Sequence, residues 1–195
     1  SMTIKAIAIK DDKSSAVATA AYTINIPKLP EDGTGTTYAK ITSADDLTNG
    51  EYLIVYENVA GSVAFNGALE TRDAVSNTVV VIASNGSIAG TESIDNATFT
   101  IAAKEGGYSI KSSSNKYIGF TNYNNGLSAS DEDAFTNSIS FDQDGAVIGI
   151  TFDAGTITLR YNNTSNQTRF RYYKSGQQAI QLYKKVAGAE VPATA

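Results

Sequence analysis

Residues 108–142 read YSIKSSSNKYIGFTNYNNGLSASDEDAFTNSISFD and contain four short runs in which apolar and polar side chains alternate. The runs are 108–111, 117–120, 127–130 and 138–142, and turns rich in Asn, Ser and Gly separate them. Alternation with a period of two is typical of half-buried β-strands, while Asn and Gly tolerate the backbone of tight turns. This segment is therefore predicted to form four short strands.

The same pattern recurs along the chain about every 40 residues. One pair of alternating apolar positions occurs at residues 99/101, 139/141 and 180/182, in steps of 40 and 41. A second pair occurs at 52/54, 108/110 and 148/150, in steps of 56 and 40, and a third links 118/120 with 159/161. The chain is therefore interpreted as three repeats, the first of which carries an insertion of sixteen residues.

Three repeats of four short strands predict an all-β fold, and no long amphipathic helix is indicated. Short strands can hide their edges by closing on themselves. Residues 38–185 are therefore predicted to form a β-trefoil-like closed barrel of twelve strands, in which three hairpins cap six barrel strands. A two-sheet β-sandwich is the alternative.

The segment before the repeats has a different character. Residues 3–26 contain two runs rich in Ala and β-branched residues around the polar turn 11–15, which predicts a β-hairpin. A lone hairpin is marginally stable in water, so this one is expected to be the remnant of an upstream β-sandwich module or to dock elsewhere. Residues 27–37, with Pro27, Pro30 and two glycines, are predicted to be a linker, and 186–195 a tail.

The composition excludes many chemistries. The 195 residues include no His and no Cys, which rules out imidazole bases, Cys nucleophiles, disulfides and the usual zinc sites. The acidic clusters 131–133 and 142–144 are interpreted as solvated turns, although two carboxyls in one cleft would suit a glycosidase. We expect no enzyme, cofactor or metal site. No long apolar stretch predicts a membrane span, and no signal peptide is expected.

The charge is unevenly distributed along the chain. The net charge is −5, from 15 basic and 20 acidic side chains, and this acidity argues against nucleic acid as a partner. Residues 154–189 nevertheless contain no carboxylate. Six basic side chains lie in that window: Arg160, Arg169, Arg171, Lys174, Lys184 and Lys185.

The first candidate ligand surface lies in this basic window. Successive side chains of a strand alternate between its faces, so Arg169, Arg171 and Tyr173 are expected to point outward. Phe170 and Tyr172 would then point inward. The guanidinium groups and the phenol suit a polar or anionic partner, which they could bind by paired hydrogen bonds. Two alternatives are that the charges protect an edge strand from pairing, or that the aliphatic parts of the Arg side chains cover the core. The predicted contacts of this surface are Arg160, Asn162, Arg169, Arg171 and Tyr173.

The second candidate surface consists of Tyr117, Asn122 and Tyr123. Amides and phenols on a turn suit a sugar, whose hydroxyls need donors and acceptors and whose ring needs an apolar platform. The repeat aligns residues 116–120 with 156–161, so the two surfaces are expected at equivalent positions. Ordinary turn chemistry of Asn and Gly is the alternative.

Two parts of the chain resemble known bacterial modules. TIKAIAIK at 3–10 and ATAAYTI at 18–24 resemble the last two strands of the chitobiase C-terminal-like β-sandwich module of secreted glycosidases and cell-surface proteins. The rest resembles a C-terminal accessory β-domain of secreted multi-domain Bacteroidetes proteins. The stretches that carry this resemblance are YAKIT at 38–42, GEYLIV at 50–55, LRYN at 159–162, RFRYYK at 169–174 and IQLYK at 180–184.

The resemblance implies a secreted or cell-surface protein in which appended β-domains bind glycan or hold a partner enzyme on its substrate. Together with the residues, it favours a non-catalytic carbohydrate-binding accessory domain whose partner is a glycan. The alternative is a structural or adhesion domain that contacts protein, with the N-terminal hairpin as one possible contact. That alternative predicts an exposed apolar patch or an open strand edge.

Overall fold

A computed structural model describes residues 2–6, 9–10, 13–16, 18–22 and 33–186, with side-chain exposure given for residues 14–16 and 33–186. The chain separates into two compact units, residues 1–31 and 32–195. The predicted tail beyond residue 186 lies outside the described residues, as does the predicted linker up to residue 32.

The first unit contains antiparallel strand pairs. Strand β1 (Met2–Ala6) pairs with β4 (Ala18–Tyr22), and β2 (Ile9–Lys10) pairs with β3 (Lys13–Ser14). In the outer pair, Met2 lies opposite Tyr22 and Ala6 lies opposite Ala18. The described part of residues 3–26 therefore has the pairing of a hairpin, and residues 23–26 lie outside the described ones.

The regular secondary structure of the second unit is almost entirely β-strand, which confirms the all-β prediction. One 3-10 turn spans Ala44–Asp46, and one helical turn, α1, spans Glu92–Asp95. Neither is long enough to cross a membrane, and the described residues contain no longer helix. The strands are β5 (Thr37–Ile41), β6 (Gly50–Tyr56), β7 (Ser62–Phe65), β8 (Thr78–Val81), β9 (Ala83–Ser84), β10 (Ser87–Ala89), β11 (Phe99–Lys104), β12 (Gly107–Ser112), β13 (Tyr117–Gly119), β14 (Ser128–Ser130), β15 (Ser138–Asp142), β16 (Gly145–Phe152), β17 (Gly155–Asn162), β18 (Arg169–Tyr173) and β19 (Gln181–Val186).

These strands form two antiparallel sheets. The larger sheet has the order β14-β13-β12-β11-β6-β19-β5-β10-β9. Outside this order, β7 pairs with β6, and β8 pairs with β7. The smaller sheet has the order β15-β16-β17-β18. Isolated backbone bridges also connect the sheets: Tyr108 of β12 pairs with Asn137 just before β15, and Ala146 of β16 pairs with Ile180 just before β19. Two sheets around a shared core fit the sandwich alternative, and the sheets of the described strands do not close into the predicted barrel.

The repeated apolar positions all contribute to one hydrophobic cluster, because alternation places them on the same face of their strands. The twelve side chains of the first two repeated pairs either belong to this cluster or pack against it. The fully or nearly buried members of the two pairs are Tyr52, Ile54, Phe99, Ile101, Ile110, Ile148, Ile150, Ile180 and Leu182, and the partly buried ones are Tyr108, Ile139 and Phe141. The repeat is therefore the pattern of the core.

Residues 78–95 of the first repeat help to build a second cluster on the opposite face of β6. Leu53 and Val55 of β6 are fully buried there, together with Tyr183 of β19, Ile88 of β10 and Ile94 of α1. Strand β6 is consequently covered on both faces, unlike the half-buried strand that simple alternation predicts. Residues 78–95, which contain β8, β9, β10 and α1, supply much of this cover.

The loop that precedes β8, residues 66–77, connects the first repeat to the other two repeats. The Asn77 side-chain amide donates to the Phe170 carbonyl at 3.0 Å, and its oxygen accepts from the Phe170 N–H at 2.8 Å. The buried Arg72 donates through Nη2 to Ser112 Oγ at 2.8 Å. Loop 66–77 thus contacts the second and third repeats at positions that lie far away in the sequence.

Candidate functional site

Strand β18 presents its aromatic side chains differently from the sequence prediction. Phe170 and Tyr172 are fully buried, as alternation requires, but Tyr173 is also only 5% exposed. The prediction of an outward Tyr173 phenol is therefore wrong. The second edge of β18 is covered: Gly126 exchanges two backbone hydrogen bonds with Tyr172, at 3.0 and 3.1 Å, and Asn125 Oδ1 accepts from the Lys174 N–H. For the same reason β18 is not the edge strand of the alternative interpretation.

The two arginines of β18 are already engaged by Asp73 of loop 66–77. Arg171 Nε donates to Asp73 Oδ1 at 2.6 Å, and its Nη2 donates to Asp73 Oδ2, which completes a two-pronged pair. Arg169 Nη1 donates to the Asp73 carbonyl at 3.2 Å. Hydrogen bonding to Asp73 raises the pKa of the Arg171 guanidinium, and burial opposes this rise. Arg169 and Arg171 therefore bind loop 66–77 and do not form an open ligand site.

Asn162, at the end of β17, has a local structural role. Its Oδ1 accepts from the Thr164 N–H at 2.9 Å, which is the hydrogen bond of an Asx turn. Arg169 lies directly opposite Asn162 in the β17–β18 ladder. The amide thus shapes the turn between these strands.

The second predicted surface is divided between two locations. Tyr117, on β13, lies under Lys111, whose Nζ is 5.3 Å from the ring centroid. The ring of Tyr123 lies against the third repeat, where Lys174 Nζ is 4.8 Å from its centroid. Asn122 is exposed beside it. Each tyrosine ring is therefore in a cation–π contact with a lysine of the protein itself. None of the three side chains lines the cavity that contains Arg160.

Arg160 lies in a groove that sequence reasoning did not predict. The depression has a volume of about 430 Å³ and is formed where the first and third repeats meet. Strand β17 carries Arg160, the end of β6 supplies an aromatic ring and a carboxylate, and the segment before β19 supplies amides. We call it the Arg160 groove, and its lining residues are Tyr56, Glu57, Asp144, Arg160, Gln177, Gln178, Ala179 and Gln181.

Backbone pairing holds the walls of the Arg160 groove in place. Gln178 exchanges two backbone hydrogen bonds with Tyr161, at 2.9 and 3.1 Å, next to Arg160. Gln181 Nε2 donates to the Asp144 carbonyl at 2.7 Å. Gly145 has φ +141°, and a Cβ there would lie 2.4 Å from the Ile180 carbonyl oxygen. Only glycine allows this close approach of the β15–β16 turn to β19.

Several polar groups in the groove are not used by the protein itself. Arg160 Nε donates to Thr158 Oγ1 at 3.3 Å, whereas its Nη1 and Nη2 have no partner within residues 33–186. The same is true of the Asp144 carboxylate and of the Gln178 side-chain amide over that range. The Tyr56 ring stacks on Tyr161 with centroids 4.6 Å apart. The groove thus offers free donors and acceptors beside an ordered aromatic ring.

The groove contains the two carboxylates, Glu57 and Asp144, that a glycosidase would require. However, both oxygens of Glu57 are engaged. Oε2 accepts from Lys40 Nζ at 3.0 Å, and Oε1 accepts from the Tyr183 hydroxyl. Burial, together with the hydrogen bond to Glu57, raises the pKa of the Tyr183 phenol. A carboxylate held in this way is poorly placed to donate a proton to a leaving group.

Of the eight predicted contacts, the groove contains Arg160 alone. Gln181 could have been found from the sequence, because it lies between the repeated core residues Ile180 and Leu182 and must point outward. Tyr56 lies two residues after Ile54, so alternation assigns it to the same face as the core residues and does not indicate that it lines a groove. Within the described residues, no group of three or more acidic side chains could hold a metal ion.

Comparison with known proteins adds no relative: no protein-family model, curated protein or solved structure matches the chain. The function is therefore inferred from the geometry of the Arg160 groove.

Proposed function

We propose that the chain is a non-catalytic carbohydrate-binding domain and that the Arg160 groove is its saccharide site. The observation that carries this proposal is the set of polar groups around Arg160 that have no partner within residues 33–186. Sugar hydroxyls need donors and acceptors in several directions, and the guanidinium, the Asp144 carboxylate and the Gln178 amide supply both kinds. Tyr56 adds an apolar surface for a sugar ring.

The affinity of such a site is expected to be modest. A groove lined mostly by polar groups gains little from apolar burial, and its water must be removed before sugar hydroxyls replace it. We therefore expect dissociation constants near the millimolar range for short saccharides, about 4 kcal/mol of binding free energy.

A glycan array followed by isothermal titration of the hits tests this function. Arg160→Gln should weaken binding about ten-fold or more, because a charged hydrogen bond contributes roughly 1.5–3 kcal/mol. Lys174→Gln is the matched control, since it removes a cation from the predicted Tyr123 surface and leaves the groove intact. Absence of saccharide binding at millimolar concentration by a folded protein would refute the proposal. Loss of binding in Lys174→Gln alone would move the site to Tyr123.

The resemblance to accessory domains supplies a context for this proposal. Two of its stretches, LRYN at 159–162 and IQLYK at 180–184, include Arg160 and Gln181 of the groove. We place the domain in a secreted or cell-surface multi-domain protein of the Bacteroidetes. There it would hold a neighbouring module close to a glycan.

For the architecture, we infer that residues 38–185 form a β-trefoil, with a two-sheet sandwich as the alternative. Support comes from the pairing path β6-β11-β12, which the Tyr108–Asn137 bridge continues to β15 and β16. The Ala146–Ile180 bridge then leads from β16 to β19, which pairs with β6. Three further pairs, β7–β8, β13–β14 and β17–β18, would be the capping hairpins.

Amide hydrogen exchange distinguishes the two architectures. A closed barrel protects the amides of Tyr108, Asn137 and Ala146, which donate across the bridges at 2.8–2.9 Å. In an open sandwich the same amides lie at sheet edges and exchange rapidly. Fast exchange at these three positions, with slow exchange in the centres of β6 and β16, would refute the trefoil.

Protein contact is the second candidate function, and one observation favours it. Val80 is 74% exposed and Ile82 is 48% exposed, and β8 pairs only with β7 among the described strands. Exposed apolar side chains beside a free edge suit strand addition by another protein. A dimer in solution that Val80→Asp dissociates, while deletion of residues 3–26 leaves it intact, would assign the contact to β8. A dimer lost on that deletion would assign it to the hairpin.

A further inference from the structure

The Arg160 groove continues beyond its own lining residues. It shares Glu57 with a second depression of about 420 Å³, which Lys40, Asn58, Asn85 and Tyr183 also line. It shares Asp144 and Gln181 with a third depression of about 160 Å³, which Lys40 also lines. The three depressions therefore adjoin one another around Lys40, Glu57 and Gln181.

The combined surface is longer than a single sugar unit requires. Lys40, Gln181 and Glu57 lie on or next to the neighbouring strands β5, β19 and β6. With strands about 4.8 Å apart, this crossing alone covers about 10 Å before the wall formed by Arg160. The two larger depressions each fall within the range of about 300–1,000 Å³ of ordinary ligand clefts.

The far end of the surface repeats the chemistry of the groove. Asn85 is an exposed residue whose side-chain amide has no partner within residues 33–186. Its φ of 51° starts a left-handed turn with Gly86, and the Gly86 carbonyl accepts from the Lys40 N–H at 2.8 Å. Val59, fully exposed on the neighbouring turn, adds an apolar contact. An amide and an apolar side chain thus lie at the opposite end from Arg160 and Tyr56.

The repeats do not reproduce this surface elsewhere. In the steps of 40 and 41 residues, Gln178 corresponds to Asn137 and to Ala97. Both of these are fully buried, and the Asn137 amide is occupied by the Ile118 carbonyl and the Tyr172 hydroxyl. In the step of 56 residues, Tyr56 corresponds to Ser112, which is buried and bonded to Arg72. The surface therefore occurs once in residues 33–186.

We infer that the Arg160 groove and its two adjoining depressions bind an internal stretch of an oligosaccharide, several sugar units long, at one site per chain. This inference depends on the proposed saccharide binding. An extended ligand would contact Arg160 and Tyr56 at one end and Asn85 and Val59 at the other. Each added sugar unit then contributes contacts until the surface is filled.

Isothermal titration with maltose-series and chitin-series oligosaccharides of one to six units, and with shortened forms of any array hit, tests this inference. For the series that binds, affinity should rise about ten-fold or more between one and about four units, with one site per chain. Asn85→Gly, which keeps the left-handed turn, should weaken binding of the longer saccharides and leave the monosaccharide unchanged. Asn122→Ala is the control and should change neither.

The outcomes separate the two proposals. Equal affinity for one and for several units, three sites per chain, or no effect of Asn85→Gly would overturn the extended site and leave saccharide binding itself in place. Absence of binding by every saccharide tested would instead overturn the function on which the inference depends.

Discussion

Asp73→Asn removes the charge that holds both arginines of β18. Asp73 forms a two-pronged pair with Arg171, with one contact of 2.6 Å, and its carbonyl accepts from Arg169. The Asp73 and Arg171 side chains are each 27% exposed. The substitution keeps the shape of the side chain but leaves two half-buried guanidiniums without a counter-charge.

The expected loss lies between two limits. Exposed ion pairs contribute about 0.2–1 kcal/mol, and hydrogen bonds to charged groups contribute roughly 1.5–3 kcal/mol when water is excluded. For a pair at this depth we expect a loss of about 1–2 kcal/mol in the free energy of unfolding. For a domain of this size, that lowers the melting temperature by about 2–8 °C.

Thermal unfolding at low and high salt measures this loss. Asp131→Asn is the matched control, because Asp131 pairs with Lys116 but its side chain is 81% exposed, and no measurable change is expected. The reasoning fails if Asp73→Asn destabilises the protein no more than Asp131→Asn does. Asp73→Asn also tests the position of the ligand site. If the glycan binds in the Arg160 groove, the saccharide affinity of this variant should equal that of the unmodified protein. If the glycan binds Arg169 and Arg171, the affinity should change.

Two further predictions concern buried groups. Burial raises the pKa of Tyr38, Tyr172 and Tyr183 above the ordinary 10.0, so the folded state keeps these protons longer than the unfolded state. The contribution of these tyrosines to the free energy of unfolding should therefore be fully present below pH 10 and decrease above it, by about 1.4 kcal/mol per pH unit for each tyrosine. Urea denaturation between about pH 9 and 11 measures this decrease, and a free energy that does not change with pH would contradict it. Arg72 is 2% exposed, and its Nε and Nη1 have no partner among the described residues. Arg72→Met should change the free energy of unfolding by less than about 1 kcal/mol or increase it, and a loss above about 3 kcal/mol would show that the buried charge is compensated.

The core was predictable from the sequence because its signal is local. Alternation places Tyr52 and Ile54, and every later copy of that pair, on one face of a strand whatever lies around it. Alternation also correctly predicted that Phe170 and Tyr172 are buried. Tyr173 was misplaced because alternation along β18 shows only that its side chain points away from the face of Phe170 and Tyr172, and it does not show that this outer face is buried as well.

The sequence by itself determined that this protein is all-β, that its apolar positions recur in three units, and that Arg and Tyr are enriched in the last of these units. Tertiary structure alone decided which of those side chains remain available to a ligand. Asp73 lies 98 residues from Arg171 yet pairs with it, whereas Nη1 and Nη2 of Arg160, a side chain of the same chemistry, have no partner within residues 33–186. The physical reason is that strand periodicity follows from neighbouring residues, whereas pairing of charges and closure of a groove depend on contacts between distant segments.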